Sequence, residues 1–344
     1  MSAPVRLAVA GAGLIGKRHV EAIAQCPGAE LAAIVDPMPA AAEYAAGLAV
    51  PYFPDLDAMF AANLAEGVIL ATPNNMHVEG GLACVAAGLP ALVEKPLATD
   101  LDAARHLVEA GEAAGVPLLT GHHRRHNPLI ADAHARIKAG EIGQVVSAHA
   151  MFWLVKPDDY FDIPWRREKG AGPVLTNLAH DIDLLRHLVG DVRAVQAAQS
   201  SAARGHAVED SCVVTLEFAD GALGTANISD TIPAPWSWEM TTGENPAYPK
   251  TDQACYLIGG TEGALELPAG RIWQHAGKKS WWSPLNSRTA PRVSGDPLVL
   301  QIAQFARVIR DGEAPLVPAR EGLKTLEVIA AIQTAAAEHR RVLL

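Results

Sequence analysis

The feature that most constrains this chain is the hexapeptide "GAGLIG", Gly11 to Gly16, set between an apolar run and an amphipathic stretch. The run "VRLAVA" precedes it, "LIGKRHVEAIAQC" continues from it, and Asp36 stands twenty residues beyond Gly16 at the end of the next apolar run, "ELAAIVD". In a G-x-G-x-x-G turn between strand and helix, Gly11 allows the tight bend, Gly13 lets a pyrophosphate approach the backbone, and Gly16 permits close helix–sheet packing. Leu14 and Ile15 open the helix, whose first N–H groups and positive dipole end face the phosphates. A dinucleotide is the expected ligand. Asp36 selects among dinucleotides: a carboxylate accepts from ribose hydroxyls but repels a 2′-phosphate, and no arginine comes after it in "DPMPAAAE". NAD is therefore expected over NADP.

The same grammar continues through "EGVILAT", "PALVEK" and "VPLLTG", each apolar run being separated from the next by a helix-like stretch. Apolar runs with little polar alternation belong to a parallel sheet covered on both faces. Residues 1–122 are thus expected to form a doubly wound Rossmann domain, and residues 123–344 a second one for substrate binding and oligomerisation. The last helices, "PLVLQIAQFARVIRDG" and "AREGLKTLEVIAAIQTAAAEH", are candidates to pack back on the first domain. In the second part the candidate strands lengthen ("QVVSAHAMFWLV", "SCVVTLEFAD", "GALGTANIS"), Asp220-Gly221 marks a hairpin, and all seven tryptophans occur. A mostly antiparallel sheet with helices on one face is expected there.

Composition excludes several classes. The formal charge of −10, with no basic run, argues against a nucleic-acid surface. Four dispersed cysteines without a C-x-x-C pair point to neither a zinc cage nor a disulfide framework. No apolar run approaches the about 20 residues of a spanning helix, and the amino terminus reads as part of a folding unit rather than a leader. A cytoplasmic protein with a small-molecule ligand is expected, without membrane or nucleic-acid partners. The histidines of "GHHRRHNP" lack an accompanying acidic or cysteine ligand set, so no metal site is expected.

Taken in order, "GAGLIG…RH", "ATPNNMH", "VEKP" and "WRREKGAGPVLTNLAHDIDLLRHLVG" give the chain a resemblance to the glucose-fructose oxidoreductase / inositol dehydrogenase / MocA family over essentially its whole length. The resemblance implies a Rossmann domain and then an α+β domain whose large open sheet often joins protomers, so a homodimer or homotetramer is expected. It further implies hydride transfer between a nicotinamide cofactor and a hydroxyl carbon of a cyclic polyol, inositol or sugar. Lys95 and His180 would line the reacting centre. Glu94 and the loop with Thr72, Pro73, Asn74 and His77 would lie near the nicotinamide ribose. A cis Lys95-Pro96 bond is also implied.

One departure matters. Many relatives place an aspartate four residues before that histidine; here Thr176 stands in its place, with Asn177 next. Asn177 or Thr176 would then orient substrate. If "TNLAHDIDLLRHL" is helical, Asn177, His180, Asp181 and Leu184 share one face. Further substrate candidates are Tyr160, Trp165 and Arg166 in "YFDIPWRREKG", and Arg124, which with Arg125 could instead be a hinge contact. Trp236 and Trp238 read better as loop packing or subunit contact than as substrate contacts. Competing activities are a dehydrogenase of a non-sugar carbocycle (a dihydrodiol or quinate-like acid), an NAD-dependent glycoside hydrolase, and a non-catalytic NAD-binding regulator.

Overall fold

The structure is a computed structural model describing residues 3–290 and 294–344. Its chain divides into two compact units, residues 1–127 with 295–326, and residues 128–294 with 327–344.

The first unit alternates strand and helix as the apolar runs require. Its elements are β1 (Val5–Ala10), α1 (Leu14–Ala24), β2 (Ala29–Val35), α2 (Pro39–Gly47), β3 (Tyr52–Phe53), α3 (Leu56–Ala62), β4 (Gly67–Leu70), α4 (His77–Ala86), β5 (Ala91–Val93), α5 (Leu101–Ala114) and β6 (Leu118–Thr120). All strands run parallel in the order β3-β2-β1-β4-β5-β6. That order reverses direction between β1 and β4, which opens a crevice at the carboxyl ends of the strands.

Alternation along β1 divides the interior in two: Leu7 and Val9 face one apolar cluster, Ala8 and Ala10 the other. Both faces are covered, which is why every residue of β4 and β5 is buried. Asp55 and Asp100 accept from the third amides beyond them (2.8 and 2.9 Å), capping α3 and α5. Helix starts are thereby set by side chains there, but not at α1. In the carboxyl-terminal part of this unit, Leu298, Ile302 and Phe305 pack into the cluster of Leu7 and Val9.

The second unit carries α6 (Pro128–Lys138), β7 (Val145–Trp153), α7 (Ala179–Leu188), β8 (Val192–Ser200), β9 (Ser211–Phe218), β10 (Leu223–Ser229), α8 (Trp238–Thr242), β11 (Tyr256–Gly260), β12 (Ala264–Leu267), β13 (Arg271–His275), β14 (Leu285–Thr289) and β15 (Val342–Leu343). Helices α9 (Pro297–Asp311) and α10 (Ala319–Glu338) precede β15, and α10 runs across the division of the chain. The nine-stranded sheet has the order β14-β13-β12-β11-β7-β10-β9-β8-β15 and is antiparallel except where β10 meets β7. Strands β9 and β10 form the hairpin expected at Asp220-Gly221, with Gly221 at φ 94° supplying the left-handed turn.

Ile130, Ile182, Leu185 and the α10 residues Ile329 and Ile332 pack with strand residues such as Val214, Leu216 and Ile258 into one cluster. The opposite face leaves Val146, Val213, Leu223 and Leu257 about half exposed. Trp238 is buried against Tyr256, and Trp236 packs edge-on to Trp153 at 5.6 Å. Trp281 and Trp282, between β13 and β14, are 90% and 87% exposed. No helix among the described residues is long and apolar enough to cross a membrane.

Candidate active site

In the first unit, the expected cofactor residues gather at the carboxyl edge of the parallel sheet. Gly11 has φ +95°, and a Cβ there would overlap the Ala71 carbonyl at the end of β4. A Cβ at Gly16 would overlap the Gly11 carbonyl, whereas one at Gly13 would meet nothing among the described residues. The turn is therefore closed behind Gly11 and Gly16 and open in front of Gly13. Gly13 caps α1 without any side-chain hydrogen bond, and the Leu14 side chain is largely exposed beside it. Uncapped amides at an open helix start fit a dinucleotide phosphate.

Asp36 is held by its surroundings. Its carboxylate accepts from the Ala12 and Met38 amides, both at 2.8 Å, and its carbonyl accepts from the Tyr52 hydroxyl at 2.9 Å. Two oxygens with one donor each keep further acceptor capacity for ribose hydroxyls. At the end of β4, the Thr72 hydroxyl is buried with no partner among the described residues. A buried hydroxyl of that kind calls for a ligand or water.

His77 is fully buried and bridges two loops: Nδ1 lies 2.8 Å from the Pro96 carbonyl and Nε2 3.0 Å from that of Thr72. The loops after β4 and β5 are thereby tied, with Pro73 and Asn74 between Thr72 and the ring. The Lys95-Pro96 bond is cis, as the resemblance implies.

Beneath Lys95 lies a pair that no sequence motif joins. Glu94 is buried, its Oε1 lies 2.7 Å from Nε2 of His19 on α1, and its Oε2 accepts from the Lys95 amide at 3.1 Å. Burial alone would raise this acid, but hydrogen bonding and charge from His19, with His123 and Lys95 adding theirs, outweigh it and hold the carboxyl at about 2. Gly121 makes room, since a Cβ there would sit 2.9 Å from the carboxyl group. Glu94 thus faces the interior as an anion while Lys95, one residue on, is half-buried. The signal is present in "RH" after the glycine turn, but nothing local links it to a glutamate 75 residues away.

Arg124 and Arg125 are buried in this unit, and Arg125 pairs with Glu321 at 3.1 Å. Among the described residues, no group of three or more His, Cys, Asp or Glu could hold a metal ion.

In the second unit the candidates fall on two adjoining stretches. Asp158–Asp162 and Pro164–Arg167 form short 3₁₀ turns. The Arg166 guanidinium lies 4.0 Å from the Tyr160 ring centre and donates to the Tyr160 carbonyl at 2.8 Å, while Trp165 is 55% exposed. Lys156 reaches the same ring at 5.2 Å and pairs with Asp230 at 3.3 Å. Burial lowers its pKa against the opposing charge of Asp230.

The helix expected over "TNLAHDIDLLRHL" begins as a single π turn, Val174–Leu178, before α7 continues it. This differs from the uniform α periodicity assumed for Asn177 and His180, because a π turn inserts one extra residue and rotates the residues beyond it. The Thr176 hydroxyl lies 2.9 Å from both the Gly172 carbonyl and Asn177 Oδ1, with one proton to divide between them. His180 is 8% exposed. Asp181 turns inward to accept from the buried Tyr256 hydroxyl, and Leu184 is fully buried, so the shared face is chiefly a packing face.

Comparison with known proteins agrees with this arrangement. Residues 5–122 match the oxidoreductase family with an NAD-binding Rossmann fold, and residues 130–266 match the GFO/IDH/MocA C-terminal domain. The chain is 30% identical over 233 residues to the rhizopine catabolism protein MocA of Rhizobium meliloti, covering 66% of this chain and 72% of that protein. It is 31% identical over 225 residues to an inositol 2-dehydrogenase of Rhizobium meliloti, covering 63% and 66%. In structure it resembles the WlbA dehydrogenase from Bordetella pertussis, solved with NADH and UDP-GlcNAcA, with TM-score 0.79, 26% identity and 99% of each chain covered. A parallel sheet edge built around glycines and Asp36, an acid–histidine pair under a lysine, and matches to both halves have one reading: the chain belongs to the GFO/IDH/MocA family and is an NAD-dependent oxidoreductase.

Proposed function

We propose that this oxidoreductase moves hydride between NAD and a hydroxyl-bearing carbon of a cyclic polyol, inositol or sugar, with Lys95 and His180 handling the hydroxyl and its proton. The observation that carries the reading is the setting of Lys95: an ammonium group comes directly after a buried carboxylate locked to His19 at the ligand edge of the sheet. Bound NAD supplies the hydride acceptor. Lys95 hydrogen-bonds the substrate hydroxyl and stabilises negative charge as it develops on that oxygen. His180 takes the proton, a role suited to imidazole near neutral pH. Asn177 and Thr176 orient the substrate where many relatives use an aspartate. Tyr160, Trp165, Arg166 and Arg124 are the further substrate contacts.

Support for the substrate class comes from the inositol 2-dehydrogenase among the relatives and from the sugar nucleotide bound to WlbA. The half-exposed apolar face of the nine-stranded sheet supports a homodimer or homotetramer, and four buried cysteines outside any disulfide support a reducing, cytoplasmic setting.

Incubation with NAD and a panel of inositols, sugars and non-sugar carbocycles, with NADH absorbance as the readout, tests the reading. A cyclic polyol or sugar should reduce the cofactor. Turnover confined to dihydrodiols or quinate-like acids would move the substrate class. Release of an aglycone without net NADH would make the enzyme a glycoside hydrolase. Bound NAD with no turnover at all would sink the catalytic assignment.

A further inference from the structure

Glu209 belongs to none of the sequence motifs, yet it meets the substrate-side segment at its start. It lies in the loop between β8 and β9, 35 residues from Val174 in sequence, and its Oε1 accepts from the Val174 amide at 3.1 Å. A Cβ at Gly172 would overlap the same carboxyl group. The glycine of the "GAGP" turn is therefore required by Glu209, which fills the space a side chain would take.

The next links lead to the site. The Gly172 carbonyl accepts from both the Thr176 amide (3.1 Å) and the Thr176 hydroxyl (2.9 Å), and that hydroxyl contacts Asn177. Moving Gly172 moves Thr176 and Asn177 with it. Glu209 itself is presented from a fixed base: Asp210 accepts from the Ala203 amide (3.0 Å), the Arg204 amide (2.9 Å) and the Ser211 hydroxyl (2.9 Å). Arg204 in turn donates to the Asp230 carboxylate at 3.1 Å and to the carbonyls of Lys156 and Asp230 at 2.8 and 2.6 Å. An acceptor held this firmly at the first amides of a helical segment restrains where that segment begins.

We propose that Glu209 is a positioning residue for the substrate side of the site: its carboxyl group brackets the Gly172 turn and sets the backbone that carries Thr176, Asn177 and His180. Burial raises its pKa, with the Val174 hydrogen bond and the charge of Lys156 opposing and the charge of Asp230 adding to the rise. The inference rests on the proposed function for its catalytic consequence, but not for its structural one.

Four full-length variants test it: Glu209→Ala, Glu209→Gln, Gly172→Ala and the double Glu209→Ala/Gly172→Ala. Amide hydrogen exchange, read without substrate, should rise about tenfold at Val174 in Glu209→Ala, as for a lost hydrogen bond to a charged group. Glu209→Gln keeps an acceptor oxygen and should restore protection to within about threefold of wild type. Gly172→Ala should loosen the same segment, and the double variant should be no looser than either single one, because removing the carboxyl makes room for the methyl group.

With a compound that is turned over, kcat/KM for it should fall about tenfold in Glu209→Ala and recover in Glu209→Gln, while KM for NAD stays within about twofold. Unchanged exchange in Glu209→Ala, or additive effects in the double variant, would overturn the proposal whatever the activity. A wild-type protein without turnover but with the predicted exchange would sink the proposed function and uphold Glu209. Should Gly172→Ala fail to fold, the Ala and Gln variants at 209 decide alone.

Discussion

The cofactor region of the first unit and the proposed substrate region of the second are built differently. On the cofactor side, above the buried side-chain pair of His19 and Glu94, the geometry is made of backbone: parallel strand ends, a glycine turn closed against the Ala71 carbonyl, and carboxylates and an imidazole that bond to amides and carbonyls. On the substrate side, 3₁₀ turns and a π turn are braced by side chains, Arg166 on Tyr160 from six residues away and Glu209 on Val174 from a distant loop. Side-chain changes can therefore retune the second region while leaving the first intact.

The largest expected effect breaks the cofactor side from beneath. Replacing His19 by alanine leaves Glu94 as a buried carboxylate without its main partner, a loss of about 3–5 kcal/mol measurable by urea denaturation. The same pair sets an acid limit. With Glu94 lowered from the ordinary 4.5 to about 2, its contribution is full above about 4.5 and disappears as pH falls through 2. Over that window the wild type should lose about 3 kcal/mol from this group, and Glu94→Gln should flatten that part of the stability profile.

Next comes Lys95→Ala, expected to lower kcat by about 10²–10³-fold with NAD affinity, read by NADH fluorescence titration, nearly unchanged. A loss confined to NAD affinity would move Lys95 to the cofactor side of the comparison. Asp36→Ala should do the opposite, weakening NAD by about tenfold for the loss of charged hydrogen bonds to ribose and narrowing the preference over NADP. The smallest effect sharpens the contrast. Thr176→Val removes one hydroxyl and its bond to the Gly172 carbonyl, at about 1 kcal/mol, and kcat/KM for substrate should fall severalfold while KM for NAD holds.

The same division explains what could be read in advance. The alternation of strand and helix, the glycine turn, Asp36, the lysine after β5 and the hairpin at Asp220-Gly221 rest on local patterns: apolar runs, spacing and turn residues. His19 with Glu94 and Glu209 with Val174 join residues 75 and 35 apart, and no periodicity carries such pairings. The π turn escaped for another reason. Spacings of three and four fit "TNLAHDIDLLRHL" equally whether or not one extra residue enters its first turn. Asp181, grouped with His180 by that spacing, lies 2% exposed on the Tyr256 hydroxyl instead.

The tip between β13 and β14 makes the protein its own optical probe. Trp281 and Trp282 stand in solvent while Trp238 lies at 1% exposure, so their red-shifted emission should be open to acrylamide and the emission of Trp238 closed to it. Substituting the pair with phenylalanine would assign that fraction, and its recovery from quenching on raising protein concentration would report, without any label, whether another chain covers the tip.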